Sequence, residues 1–195
     1  MPKPASKTRM LTESAVMVAL ATVLSMIKIL TLPQGGSITA ASMVPLLIIS
    51  FRYGPKWGTF TAFVYSLVNM MMGFWPPPVP NFINYLLVIL LDYVVAFSCL
   101  GLASLFAKAI PGNRIAAIGF GSGAAVFIRL VCHVLSGVII WGSNAPAGES
   151  VWKYSIGYNG SYMFCELIVS VVVMCLLSAV MDFKTLKRPV KTAKS

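Results

Sequence analysis

Residues 129–166 read RLVCHVLSGVIIWGSNAPAGESVWKYSIGYNGSYMFCE. Two apolar runs flank a Gly/Pro/Ser loop, and each carries groups that lipid does not tolerate alone. Arg129 and His133 stand four residues apart in the first run, and Tyr, Asn, Ser and Glu166 crowd the second. Intramembrane ionisable residues are costly and face a bundle interior, a partner or a wet cavity. The stretch therefore predicts two spanning helices that share a polar inner surface.

The whole composition agrees with a bilayer. Of 195 residues, 58% are hydrophobic and only 10% charged, with a mean hydropathy of +0.85; soluble domains carry roughly 25% charged residues. The four cysteines lie inside apolar runs without metal-ligand spacing, so they read as buried thiols and no metal site is expected. Apolar runs at 10–32, 40–51, 57–74, 81–107, 115–142 and 155–182 predict six helices, an all-α integral membrane bundle over 10–182. Residues 1–9 form a basic lead and 183–195 a basic tail. The run 40–51 is short for a span of about 20 residues, so it is tilted or starts re-entrant within the preceding Gly-Gly loop.

Net charge is +10. Six spans put both termini on one side, together with the loops around 52–56 and 108–114. Twelve lysines and arginines then fall on that side and Lys153 alone on the other, which predicts cytoplasmic termini. The basic excess is thus a topology signal, and nucleic acid is not an expected partner. The opposite loops, LPQGGSIT (32–39), WPPPVPN (75–81) and GSNAPAGESVWKY (142–154), are stiff and nearly uncharged. They suit a mouth over a small-molecule site, an interfacial belt of Trp75, Trp141 and Trp152, or both.

Asp92, Arg129, His133 and Glu166 lie about 13–20 Å from the outer ends of their spans at 1.5 Å per residue, so they can share one layer. Two carboxylates face one obligate cation. A cationic ligand could supply the balance, as could protonation of His133 or of a carboxyl. Arg129, His133 and Gly137 share one helix face leading to Trp141. Ser155, Asn159, Tyr162 and Glu166 share another, flanked by Tyr154 and Tyr158. That stripe reads as a ring-binding wall or as interhelical glue. Asp92 and Tyr93 point about 100° apart, so one of them at most heads straight into a pocket. Ala15 with Ala19, and Gly119 with Gly123, are small-residue faces for close helix packing. No nucleotide-binding loop and no nucleophile–base pair occurs, so active transport would draw energy from a partner or an ion gradient. An embedded enzyme or channel using Asp92 and His133 as an acid–base or conduction pair is the competing reading, and it has no second catalytic constellation.

Five segments carry a resemblance. LTESAVMVALA (11–21), LPQGGSI (32–38), LLDYVVAF (90–97), RLVCHVLSGVIIWGS (129–143) and VWKYSIGYNGSYM (151–163) together resemble the energy-coupled thiamine transporter family. Its members are the substrate-capture (S) components of bacterial energy-coupling factor transporters. The resemblance covers roughly residues 10–182 and rests on the H-x-x-x-G-x-x-x-W and Y-x-x-x-x-N patterns. It implies a six-helix subunit of a bacterial plasma membrane, not an enzyme and with no cofactor of its own. Such a subunit binds thiamine with high affinity near the outer face. It works with a transmembrane coupling subunit and two cytoplasmic ATPases, which consume the ATP. On matching positions the resemblance places Asp92, Tyr93, His133, Gly137, Trp141, Tyr154 and Asn159 in the thiamine site, and Ala15 and Ala19 at the coupling interface. Arg129 and Glu166 are then expected as a structural ion pair beneath the site. Two departures stand out: Asp92 occupies a position where Glu is the family pattern, and Gln34 stands in a first loop without tryptophan. Phe82 and Trp75 are the candidates to compensate for that missing aromatic. An S component for another vitamin, or for the pyrimidine half of thiamine, is the runner-up within this class.

Overall fold

The computed structural model describes residues 6–185, and six helices organise them. They are α1 (Lys7–Met26), α2 (Val44–Tyr53), α3 (Pro55–Met72), α4 (Phe82–Ala109), α5 (Arg114–Ile139) and α6 (Val151–Val180). Four of them, α1, α4, α5 and α6, are long and apolar enough to cross a membrane. Residues 1–5 of the basic lead and most of the tail expected over 183–195 lie outside the described residues. The helix starts follow side-chain capping: Ser6, Asn81 and Asn113 each accept a hydrogen bond from the backbone N–H three residues on. Ser6 starts α1 at Lys7, so the end of the lead is already helical.

The first span is shorter than the apolar run 10–32. α1 stops at Met26, and a hairpin follows: β1 (Lys28–Thr31) pairs antiparallel with β2 (Ser37–Thr39). Pro33 disfavours helix at the residue before it, and Ile29, Thr31, Ile38 and Thr39 suit extended backbone. The turn closes with Leu32 N–H donating to the Gly36 carbonyl at 2.7 Å, and Gly35 adopts φ +87°. Hydropathy could not separate this exposed apolar strand from a helical continuation.

The short run 40–51 forms one short helix behind the hairpin. α2 has ten residues, about 15 Å, and the hairpin supplies the rest of that layer. Every residue from Val44 to Ser50 is buried, because the other helices surround α2. Gly54, at φ +89°, turns the chain, and Pro55 opens α3. One close crossing locks α2, α3 and α4. Ser50 Oγ donates to the Gly101 carbonyl at 2.6 Å, and a Cβ on Gly58 would lie 2.8 Å from Ser50 Cα. A side chain on Gly101 would overlap the Gly58–Thr59 backbone.

α5 and α6 run antiparallel beside each other. Gly119 meets Cys175, Gly123 meets Val171 and Gly137 meets Ser155, so the small residues of α5 do pack helix on helix. The outward faces of both helices are apolar and exposed, with Phe120, Phe127, Val131 and Leu135 on α5 and Phe164, Ile168, Val172 and Leu176 on α6. Such continuous apolar faces suit lipid as solvent.

Basic residues tie the ends of the helices at one pole. Arg52 donates to Glu13 of α1 and to the carbonyls of Phe183 and Lys184, the last two at 3.0 and 3.1 Å. Tyr53 also donates to Glu13, and Arg114 bonds the Ser178 carbonyl. The hairpin, the 73–81 loop and the 140–150 loop gather at the other pole.

The α2/α3/α4 crossing gives a stability test. Gly101→Val forces overpacking against backbone and should cost about 1–3 kcal/mol or more. Gly157→Ala, in a helix where an added Cβ meets nothing within 4 Å, should be neutral or stabilise by up to ~1 kcal/mol. Thermal unfolding in detergent reads both variants; equal midpoints would contradict the backbone contact at Gly101.

Candidate functional site

Beneath the hairpin lies a cavity of about 540 Å³, lined from α3, α4, α5, α6 and the hairpin itself. Asp92, Tyr93, His133, Gly137, Trp141, Tyr154 and Asn159 all line it, and so do Arg129 and Glu166. Residues as far apart in sequence as Asp92 and Glu166 thus meet around one space.

Asp92 sits in Ile89–Val94, where α4 widens into a π-helical turn. Such wide turns re-aim side chains and recur at functional sites; here both Asp92 and its neighbour Tyr93 reach the cavity wall. Three donors converge on the Asp92 carboxylate: His133 Nδ1 at 3.1 Å, Ser136 Oγ at 2.7 Å and Trp141 Nε1 at 3.2 Å. A carboxylate offers about four acceptor sites, so one remains. The Tyr93 hydroxyl is spent elsewhere. It donates to the Gly73 carbonyl and accepts from the Trp75 N–H, both at 3.0 Å. Tyr93 therefore contributes its ring to the cavity, and its hydroxyl fixes the 73–75 loop.

The α6 stripe divides between two jobs. Ser155 Oγ donates to the Val134 carbonyl of α5 at 2.8 Å, which is interhelical glue. Asn159 Nδ2 donates to Ser155, and its Oδ1 accepts from Tyr162 at 3.1 Å, so its amide is largely internally satisfied. Gly137 is what allows this: a Cβ there would lie 3.0 Å from Asn159 Nδ2. Its bare backbone admits the neighbouring helix. Tyr154 and Tyr158 instead hold the hairpin. Tyr154 donates to Gln34 Oε1 at 3.0 Å, and the Tyr158 hydroxyl accepts from the Gln34 and Gly36 N–H groups, each at 3.2 Å.

The ion pair expected between Arg129 and Glu166 does not form. The Arg129 guanidinium lies over the Phe97 ring, 4.1 Å from its centroid, a cation–π contact. Glu166, 3% exposed, accepts from the Thr39 N–H at 2.5 Å and the Thr39 hydroxyl at 2.7 Å. The reason is the hairpin. It carries backbone donors to this depth, where they need acceptors, and the nearest carboxylate goes to them. Arg129 Nε, His133 Nε2 and Glu166 Oε2 stay buried without a hydrogen-bond partner.

Trp75 is half-exposed and lies over the hairpin turn, where a Cβ on Gly35 would come within 2.7 Å of its ring. It is the aromatic beside the first loop. Phe82, 82% exposed, points away. Trp152 is exposed, as an interfacial residue would be, whereas Trp141 belongs to the cavity. Ala15 and Ala19 are exposed and line a separate apolar groove between α1 and α3, with Leu11, Val18, Trp57 and Phe60. Sequence reasoning missed Ser136, Thr39 and the clasp on Gln34. Ser136 was within reach, because it lies three residues from His133 on the same helix face. The other two depend on the hairpin and have no local signal. Among the described residues, no group of His, Cys, Asp and Glu side chains is arranged to hold a metal ion.

Comparison with known proteins bears on the identity. Residues 11–185 match the family model for thiamine transporter protein (Thia_YuaJ). The chain is 37% identical to the thiamine transporter ThiT of Bacillus subtilis strain 168 over 198 residues, 95% of each protein. It is 30% identical to ThiT of Lacticaseibacillus paracasei over 146 residues, 70% of this chain and 71% of that one. A solved structure of ThiT from Listeria monocytogenes superposes with a TM-score of 0.68 at 23% identity, covering 92% of this chain and 95% of the other, which shows the shared fold. The chain belongs to the thiamine transporter protein family, membrane proteins that transport rather than catalyse.

Proposed function

We propose that this chain is the substrate-binding subunit for high-affinity thiamine uptake, capturing the cationic vitamin near the outer face of a bacterial plasma membrane. The observation that carries the reading is Asp92, a carboxylate held by three donors in an aromatic-walled cavity. Its negative charge suits the permanently cationic thiazolium. Tyr93, Trp141 and Tyr154 offer ring faces for cation–π contact. The acceptor site left on Asp92 and the second lone pair on Asn159 Oδ1 suit donors of the aminopyrimidine. The volume falls within the range of about 300–1,000 Å³ usual for small-molecule sites. Family membership and the relatives named as thiamine transporters support the same ligand.

The hairpin is the lid of this site. It is clasped through the Tyr154 and Tyr158 hydroxyls and backed by Trp75. The pole rich in arginine faces the cytoplasm with both termini, a reading that the distribution of Lys and Arg supports. Energy comes from a transmembrane coupling subunit and two cytoplasmic ATPases, since the sequence carries no nucleotide-binding loop. The exposed Ala15/Ala19 face, in its apolar groove, is the surface for the coupling subunit.

Two experiments test this reading. Asp92→Asn should weaken thiamine binding by about 10–100-fold, the weight of a hydrogen bond to a charged group. Glu149→Gln, which removes half of the surface pair with Lys153, should stay within about twofold of the unmodified protein. Calorimetry and Trp141 fluorescence report both; no heat and no change in emission with micromolar thiamine would refute the ligand. The doubly substituted Ala15→Trp, Ala19→Trp protein should bind thiamine normally and fail to support uptake in cells. Loss of binding would mean that the face packs inside the subunit.

A further inference from the structure

The hairpin is held by α6 at two levels of unequal strength. At its tip the bonds are neutral and long, from Tyr154 and Tyr158 to Gln34 and Gly36 at 3.0–3.2 Å. At its base a buried carboxylate holds it. Glu166 accepts two hydrogen bonds from Thr39, and because the Thr39 hydroxyl donates to Glu166, Ser42 must donate its own hydroxyl to Thr39 Oγ1, at 2.7 Å. Hydrogen bonds to an ionised acceptor are roughly twice as strong as neutral ones.

The backbone beside this clasp is strained. Ala41 has φ +61°, the only described non-glycine residue at positive φ. A non-glycine in that region is strained and persists where its surroundings over-determine it. The surroundings here are explicit. Ala41 N–H bonds the Thr39 carbonyl at 2.8 Å, Val44 N–H bonds the Ala41 carbonyl at 3.0 Å, and α2, buried over Val44–Ser50, starts at that Val44. Glu166 and α2 thus grip the strained residue from both sides.

We infer that Glu166 is a positioning residue for ligand capture: it pins the base of the hairpin through Thr39, so the lid opens by its tip and pivots at Thr39–Ser42. The inference rests on the reading of the cavity as the thiamine site and adds the place where the lid turns. It also accounts for a carboxylate at this depth that makes no ion pair with Arg129.

Residue-resolved hydrogen exchange on the ligand-free protein in nanodiscs, with stopped-flow thiamine binding, tests the pivot. In the unmodified protein the Gln34 and Gly36 amides should exchange at least about tenfold faster than Thr39, reflecting one stronger hydrogen bond at the base. Thr39→Val, which is nearly isosteric, and Glu166→Ala should each speed Thr39 exchange and thiamine dissociation by about tenfold, leaving association within about threefold. Glu166→Gln keeps an acceptor oxygen and should fall between these variants and the unmodified protein. Unchanged Thr39 exchange in Thr39→Val and Glu166→Ala would overturn the pivot, and so would a Glu166→Gln protein indistinguishable from Glu166→Ala. If the unmodified protein failed to bind thiamine, the ligand assignment would fall, and the exchange measurements would still decide the pivot.

Discussion

A carboxylate inside an apolar bundle has to be matched by donors, and the arrangement around Asp92 follows from that demand. Satisfying it takes groups from two places on α5, His133 with Ser136 and then Trp141 at the end of the helix. Those three contacts fix the rotation of α5 against α4. They also bring Trp141 in from the interface to form a wall of the cavity. Asp92 lies in the π-helical turn of α4, where it and its neighbour Tyr93 both line the cavity. The cavity wall and the carboxylate therefore share one cause.

The second demand comes from the backbone of the hairpin. Extended chain carried to membrane depth brings N–H groups that neither strand can satisfy alone, and it is tolerated only against protein or a cavity. α6 answers with Tyr154, Tyr158 and Glu166, spaced at multiples of four so that they lie along one side of the helix. Tyr162, between them, packs its ring under Gly36. One helix thus carries two polar stripes: Ser155 bonds α5 and Asn159 packs against its Gly137, while the tyrosines and Glu166 bind the hairpin.

The sequence was most legible where polarity conflicts with a bilayer. Asp92, His133, Asn159 and their neighbours stand out against apolar runs, and helical spacing alone puts Arg129, His133 and Gly137 on one face. The number of helices was equally plain, since each run is bounded by Gly, Pro or basic residues. Legibility failed at residues 27–39. Ile29 and Leu30 are as apolar as any helix residue, and only the turn geometry at Pro33–Gly36 makes them a strand. With the run 10–32 read as a span and 32–39 as a loop, the donors that the hairpin brings were invisible. Glu166 then had no apparent partner except Arg129.

The separation of Arg129 from Glu166 has a consequence for charge. A salt bridge inside a bundle gains its Coulombic attraction only in close contact, and it must offset the desolvation of two ions. Here each ion is compensated separately, Arg129 by the π face of Phe97 and Glu166 by the donors of Thr39. Neither side chain has to reach across to the other, so the space they both line is not closed by a bridge. Asp92 is likewise compensated by donors that carry no obligate charge. The negative charge of Asp92 is therefore stabilised without being paired to an obligate cation, which is the electrostatic condition that the proposed capture of cationic thiamine calls for.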